Sequence, residues 1–201
     1  GGTGKDHLTG NEGNDLLQGE AGIDILSGEL GNDNLYGGAD DDHLSGDEGH
    51  DQLVGEAGHD VLLGGAGNDV LIGVAPQSFG GEGPDPNAPI PGLGEVDKLS
   101  GGTGKNKFIL GDATQAYYND GNSATSGTGD YALIVDFRTA EDVIELTGTA
   151  DNYLLREAPS GLPAGTALSL NKPNGEPDEL IAIVQGATDL SLGSSYFNFV
   201  S

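Results

Sequence analysis

Aspartate recurs every nine residues from the start of this chain, at Asp6, Asp15, Asp24, Asp33, Asp42, Asp51, Asp60 and Asp69. Each stands five residues after a glycine and two before a leucine (Leu8, Leu17, Leu26, Leu35, Leu44, Leu53, Leu62, Leu71). A short, strict period is the signature of a solenoid, whose units bury their apolar face only by stacking. The pattern therefore sets a stack of carboxylates beside a stack of leucines, joining a candidate metal site to a core in one repeat. Aspartates also form turns. Turn chemistry alone, however, does not require aspartate at one position eight times in eight.

Charge sharpens that reading. The 201 residues, enough for one or two domains, carry 33 acidic groups against 7 basic ones, a formal charge of -26. Such a chain repels phosphates, which excludes nucleic acid and anionic membrane surfaces as expected partners. Residues 1–72 hold 16 of the acids and a single base, Lys5, so a cation should neutralise the repeats. Cysteine is absent, which excludes a disulfide framework and thiol chemistry. No apolar run reaches membrane-spanning length, so membrane insertion is not expected. The missing initiator methionine and signal peptide suggest a fragment of a longer protein.

The repeat reads Gly, variable, variable, Gly, variable, Asp, variable, Leu, variable, as in Gly10-Asn11-Glu12-Gly13-Asn14-Asp15-Leu16-Leu17-Gln18. This string resembles the RTX (repeats-in-toxin) calcium-binding nonapeptide, also known as the hemolysin-type calcium-binding repeat. The match runs through residues 1–72, with one lapse where Asp40 replaces the second glycine. Gly73 to Pro91 interrupts it with five of the nine prolines. The period then returns in degraded form as Gly92–Ser100 and Gly101–Ile109, with Glu95 in place of a glycine and Asn106 in place of the aspartate.

The resemblance implies an all-β fold, a right-handed parallel β-roll in which two nonapeptides make one turn. Repeat n then lies under repeat n+2, about 4.8 Å away. In that fold the first six residues form a loop, the last three a short strand, and glycines at positions one and four supply φ > 0. The resemblance pairs Asp6/Asp24, Asp15/Asp33, Asp24/Asp42, Asp33/Asp51, Asp42/Asp60 and Asp51/Asp69. If the insert only loops out, Asp60/Asp97 and a weaker Asp69/Asn106 follow. Backbone carbonyls would complete each shell. At position one these belong to Gly1, Gly10, Gly19, Gly28, Gly37, Gly46, Gly55 and Gly64, and at position three to Thr3, Glu12, Ala21, Leu30, Ala39, Glu48, Ala57 and Ala66. At position five they belong to Lys5, Asn14, Ile23, Asn32, Asp41, His50, His59 and Asn68. A hard cage of six to eight oxygens suits Ca²⁺ better than Zn²⁺ or Cu²⁺, and the pairs imply about six to eight ions.

Positions seven and nine face outward and change along the stack. Polar residues such as His7, Thr9, Gln18, Ser27 and Asn34 give way to Val54, Val61, Leu63, Val70, Ile72 and Ile109. Something should cover that apolar end, since exposed β-prone patches are aggregation hazards and a solenoid needs a cap. Residues 112–201 carry β-branched runs, and Lys172-Pro173-Asn174-Gly175 reads as a hairpin turn. The expected organisation is a roll over 1–111 with a proline-rich insertion at 73–91, capped by an antiparallel β-rich module over 112–201. Ile134-Val135-Asp136-Phe137 and Glu141–Leu146 also resemble, more loosely, the segment that closes many RTX blocks.

No zinc signature or nucleophile elbow is present, and no catalytic residue is expected. His50 and His59 at position five, and His7 and His43 at an outward strand position, read as solvated variants of tolerant places. By resemblance the chain is the calcium-dependently folding, carboxy-terminal module of a secreted bacterial protein, partnered with calcium and a type I secretion apparatus and placed outside the cell or on its surface. Two alternatives stand beside it: part of an adhesin that binds a surface glycan or protein, and the non-catalytic tail of a secreted hydrolase.

Overall fold

A computed structural model describes residues 1–74, 94–111, 115–118, 128–172 and 176–201. Most of the proline-rich insertion, Gly92, and the tip of the expected hairpin turn at 173–175 lie outside the described residues. The described chain is almost wholly β-strand, with one short 3-10 turn at Ala150–Asn152. None of its helices is long and apolar enough to cross a membrane.

The repeats supply β1 (Gly2–Thr3), β2 (His7–Glu12), β3 (Leu16–Ala21), β4 (Ile25–Leu30) and β5 (Asn34–Ala39). They continue through β6 (His43–Glu48), β7 (Gln52–Ala57), β8 (Val61–Ala66) and β9 (Val70–Ile72). Beyond them come β10 (Val96–Ser100), β11 (Lys107–Ile109), β12 (Tyr131–Ile134) and β13 (Val143–Thr147). The last four are β14 (Tyr153–Glu157), β15 (Gly165–Leu170), β16 (Glu179–Gln185) and β17 (Phe197–Val200).

Odd and even strands of the roll separate into two parallel sheets, as a two-repeat turn requires. One runs β1-β3-β5-β7-β9-β11-β13-β17 and the other β14-β15-β16-β12-β10-β8-β6-β4-β2. The register advances by 18 residues, His7 opposite Ile25 and Leu26 opposite Leu44. The strands are longer than the expected three residues. Pairing continues through positions one to three of the next repeat, as in Asn11 opposite Glu29. The loop proper shrinks to positions four to six.

Alternation along each strand puts the leucine and the first glycine of the next repeat inward. Leu26, Leu35, Leu44, Leu53, Leu62, Leu71, Leu99 and Phe108 are fully buried, while Leu8 on the first turn is only half-buried. This file does not stop with the repeats. Leu99 pairs with Ile134 and Ile134 with Val184, while Phe108 pairs with Ile144 and Ile144 with Phe197. Among the described strands antiparallel pairing occurs at β14–β15 and β15–β16, with an isolated antiparallel bridge between Gly111 and Ala116; β12, β13, β16 and β17 extend the roll's sheets in parallel. The apolar outer residues of the later turns are covered as expected. Val54 and Ile72 are buried in one cluster with Leu110, Tyr117 and Tyr118, and Val61, Leu63, Val70 and Ile109 are half-buried. At the opposite end Leu16, Ile23, Ile25 and Leu30 remain exposed.

Candidate metal centre

The parallel register brings each aspartate under its counterpart one turn on. The Asp6 N–H donates to Asp24 Oδ1 (2.7 Å), the Asp24 N–H to Asp42 Oδ1 (2.8 Å), the Asp42 N–H to Asp60 Oδ1 (2.8 Å) and the Asp60 N–H to Asp97 Oδ1 (2.8 Å). On the other side Asp15, Asp33, Asp51 and Asp69 donate in turn to Asp33, Asp51, Asp69 and Asn106 at 2.8–3.0 Å. Both ladders follow the n/n+2 order through all the expected pairs.

One oxygen of each carboxylate is thus used, and the other is not. Oδ2 of Asp6, Asp15, Asp24, Asp33, Asp42, Asp51, Asp60 and Asp69 is buried without a hydrogen-bond partner. Leaving one buried acceptor unpaired costs about 1–3 kcal/mol, and more when it is charged. Eight in two rows ask for a common partner. Each of these oxygens faces a hollow beside the first glycine of its own repeat. A Cβ on Gly37 would lie 2.5 Å from Asp42 Oδ2 and 2.7 Å from the Gly55 carbonyl oxygen, and the other first glycines repeat the arrangement.

That geometry corrects the reason for the first glycine. From Gly10 to Gly64 none has positive φ; the left-handed residues are those at positions two and four. Within residues 1–72 position four is glycine except at Asp40, which takes φ +80. Position two takes positive φ even as Asn11, Glu20, Glu29, Asp47 and Glu56. The glycine at position one is needed for space, because any side chain would fill the hollow.

Electrostatics agree with the unmet acceptors. Burial pushes the Asp60 carboxyl up to about 9, with the neighbouring Asp97 charge adding to it. Asp42 and Asp51 rise to about 6 and Asp69 also rises, burial again being the main cause. These groups resist ionisation in the bare fold, and a cation in the hollow would reverse that. Among the described residues no three His, Cys, Asp or Glu side chains gather around one point. A site here therefore has to be completed by carbonyls, which makes it hard and all-oxygen. Calcium fits such a donor set; zinc, which favours His and Cys, does not.

The expected carbonyls divide by position. The first-position carbonyls of Gly19, Gly28, Gly37, Gly46, Gly55 and Gly64 border the hollows, and Gly73 and Gly101 border those of Asp60 and Asp69. Third-position carbonyls are engaged, those of Ala21, Leu30, Ala39, Glu48 and Ala66 each accepting a backbone N–H from the turn below at 2.7–3.0 Å. At position five the side chains form an outer ladder that the sequence did not reveal. Asn14 and Asn32 Oδ1 accept the N–H groups of Asn32 and His50, and His50 Nδ1 accepts that of Asn68, all at 2.8 Å. His59 Nδ1 likewise accepts the Val96 N–H at 2.9 Å. These histidines are ladder acceptors and not merely solvated.

Three further residues belong to the ladders. Gly73 stands beside Asp97 in the first-glycine place, as Gly55 stands beside Asp60. Asp142 Oδ1 accepts the Asn106 N–H at 3.0 Å, one turn beyond the last repeat, and its Oδ2 accepts the Arg138 N–H at 2.8 Å. Its signal was Asp142 two residues before Ile144, the same spacing as aspartate and leucine in the repeats. Tyr118 donates its hydroxyl to Asp97 Oδ2 at 2.6 Å.

Residues 1–35, 18–53 and 45–74 match the family model of the RTX calcium-binding nonapeptide repeat (4 copies). No curated protein matches the chain. Among solved structures, the chain is similar to the solution structure of the AlgE6R3 subunit from the Azotobacter vinelandii mannuronan C5-epimerase. That likeness has 25% identity and a TM-score of 0.28, and covers 85% of this chain and 70% of that one. With the nonapeptide matched and its parallel two-repeat turn laid out above, residues 1–74 are calcium-binding repeats of the RTX family, wound as a β-roll.

Proposed function

We propose that the chain is a calcium-gated folding module at the carboxy-terminal end of a secreted bacterial protein. Eight buried carboxylate oxygens have no hydrogen-bond partner within the protein, and that observation carries the reading. A fold that holds so much unpaired charge is unfavourable until cations enter, so metal binding becomes folding free energy. Up to eight ions are accommodated, one per hollow. The aspartates act as ligands, the first-position carbonyls complete the shells, and no catalysis is assigned to the chain. Calcium, when bound, supplies the positive charge that the carboxylate rows lack.

This coupling suits one-step, type I export. At the low calcium of a cytosol the glycine-rich, acidic chain stays unfolded and threadable; at extracellular calcium it folds and cannot return. The test is the β signal and protease resistance of the chain as calcium is raised from chelated conditions. Cooperative folding is expected at roughly 10⁻⁴–10⁻³ M, the range of extracellular modules. A midpoint in the submicromolar range would rule out an export gate.

A further inference from the structure

Beyond the carboxylates of the eight hollows, the even-strand ladder contains one more. Asp97 is fully buried, its Oδ1 accepts the Asp60 N–H at 2.8 Å, and its Oδ2 lies beside Gly73 as Asp60 Oδ2 lies beside Gly55. Each preceding hollow of this ladder is bordered by the carbonyl of the glycine one turn on. Here the neighbour is the Tyr118 hydroxyl, which sits where a Cβ of Gly73 would point and donates to Asp97 Oδ2 at 2.6 Å.

We propose that Tyr118 is the built-in terminator of the even-strand calcium ladder, its hydroxyl taking in the Asp97 hollow the place that an ion takes in the others. A carbonyl and a carboxylate both only accept, so an Oδ2 facing a carbonyl needs a cation between them. A phenol donates, and it satisfies the carboxylate directly. Calcium–oxygen distances of about 2.3–2.6 Å leave no place for an ion between two oxygens only 2.6 Å apart.

The chain commits backbone and core to this contact. Tyr118 is fully buried and takes φ +54, in the left-handed region, which an aromatic residue rarely adopts. It belongs to the same buried cluster as Val54 and Ile72. The segment that covers the apolar outer face thus also closes the ladder. The odd-strand ladder ends by the same logic, with Asn106 replacing an aspartate and the Arg138 guanidinium 3.3 Å from Asp142.

This inference rests on the calcium reading, and the experiment separates the two. Wild type, Tyr118→Phe, Asp97→Asn and the double variant are compared in saturating calcium, as full chains, by melting and by calcium count in native mass spectrometry. Tyr118→Phe keeps the ring and orphans Asp97 Oδ2. It should lower Tm by roughly 2–10 °C at an unchanged ion count. Asp97→Asn in that background removes the orphaned charge, keeps Oδ1 for Asp60, and should restore more than half of the loss. A merely packing role for Tyr118 would give no such rescue. Tyr118→Phe with wild-type Tm and count, or a loss that Asp97→Asn leaves untouched, would overturn the terminator. A wild-type chain that takes up no calcium would overturn the calcium reading itself, and this inference with it.

Discussion

Asp42→Asn separates the two oxygens of one carboxylate. Asparagine keeps an Oδ1 acceptor for the Asp24 N–H, bonded at 2.8 Å in wild type, and replaces the unpartnered Oδ2 with a neutral amide. Without metal, burial raises Asp42 from 3.8 to about 6. Holding it ionised at neutral pH therefore costs at most about 3 kcal/mol, at 1.36 kcal/mol per pKa unit, and less to the extent that solvent screens it. The variant removes that cost. It adds an amide donor worth about 1–3 kcal/mol if unpaired, though the Gly55 carbonyl borders the hollow. The metal-free fold should thus be unchanged or up to about 3 kcal/mol more stable. In calcium the sign reverses, because Asp42 Oδ2 is the charged oxygen of the Gly37 hollow and the ion there loses it. An ion held at a hundredfold its Kd contributes about 2.7 kcal/mol, so losing it costs about that much. Circular dichroism melts in saturating calcium, and in excess chelator with a stabilising osmolyte, read both arms. Equal destabilisation in the two conditions would refute the reasoning and make Asp42 a hydrogen-bond acceptor only.

Position along the ladder should matter: Asp6→Ala removes a carboxylate from one hollow and accepts no N–H from a preceding turn, so its calcium midpoint should shift less than that of Asp42→Ala. Acidity should act in opposite senses with and without metal. The raised values of Asp42, Asp51 and Asp60 mean that the metal-free fold binds more protons than the unfolded chain. That stability is fully present below pH 3.8 and is lost as pH rises through about 6, and on to about 9 for Asp60. In chelator the β signal should therefore be strongest near pH 4, whereas in calcium lowering the pH through 6 should raise the calcium midpoint; parallel titrations decide. Deleting residues 112–201 should leave a roll that needs several-fold more calcium or aggregates, since β10 and β11 would become unpaired edges. A soluble monomer with an unchanged midpoint would make those residues an independent unit.

The repeats were legible because period, ligand and core coincide. A nine-residue spacing with leucine two after aspartate dictates which side chains face inward, and the 18-residue register follows from two repeats per turn. Position two was hidden because Glu20 or Asp47 at positive φ carries no compositional mark that glycine would. The long strands were missed for a related reason: glycines read as loop residues, whereas Gly19 or Gly37 is an inward-facing strand position kept small by the hollow beside it. The roll also outlasts its motif. Ile134, Ile144 and Phe197 continue the leucine file, but without the glycine two residues on that follows each leucine of the repeats, the period has nothing left to show itself by. Tyr118 was illegible altogether, because its partner is 21 residues away and no local pattern joins a tyrosine to a ladder.

The central claim is that the eight unpaired Oδ2 atoms are calcium ligands. Crystals grown in calcium, with anomalous difference density measured for the ion, test it most directly. The account predicts an ion beside each of Asp6, Asp15, Asp24, Asp33, Asp42, Asp51, Asp60 and Asp69, between successive turns, and none beside Asp97 Oδ2. A folded roll whose eight hollows hold only water in saturating calcium would contradict it.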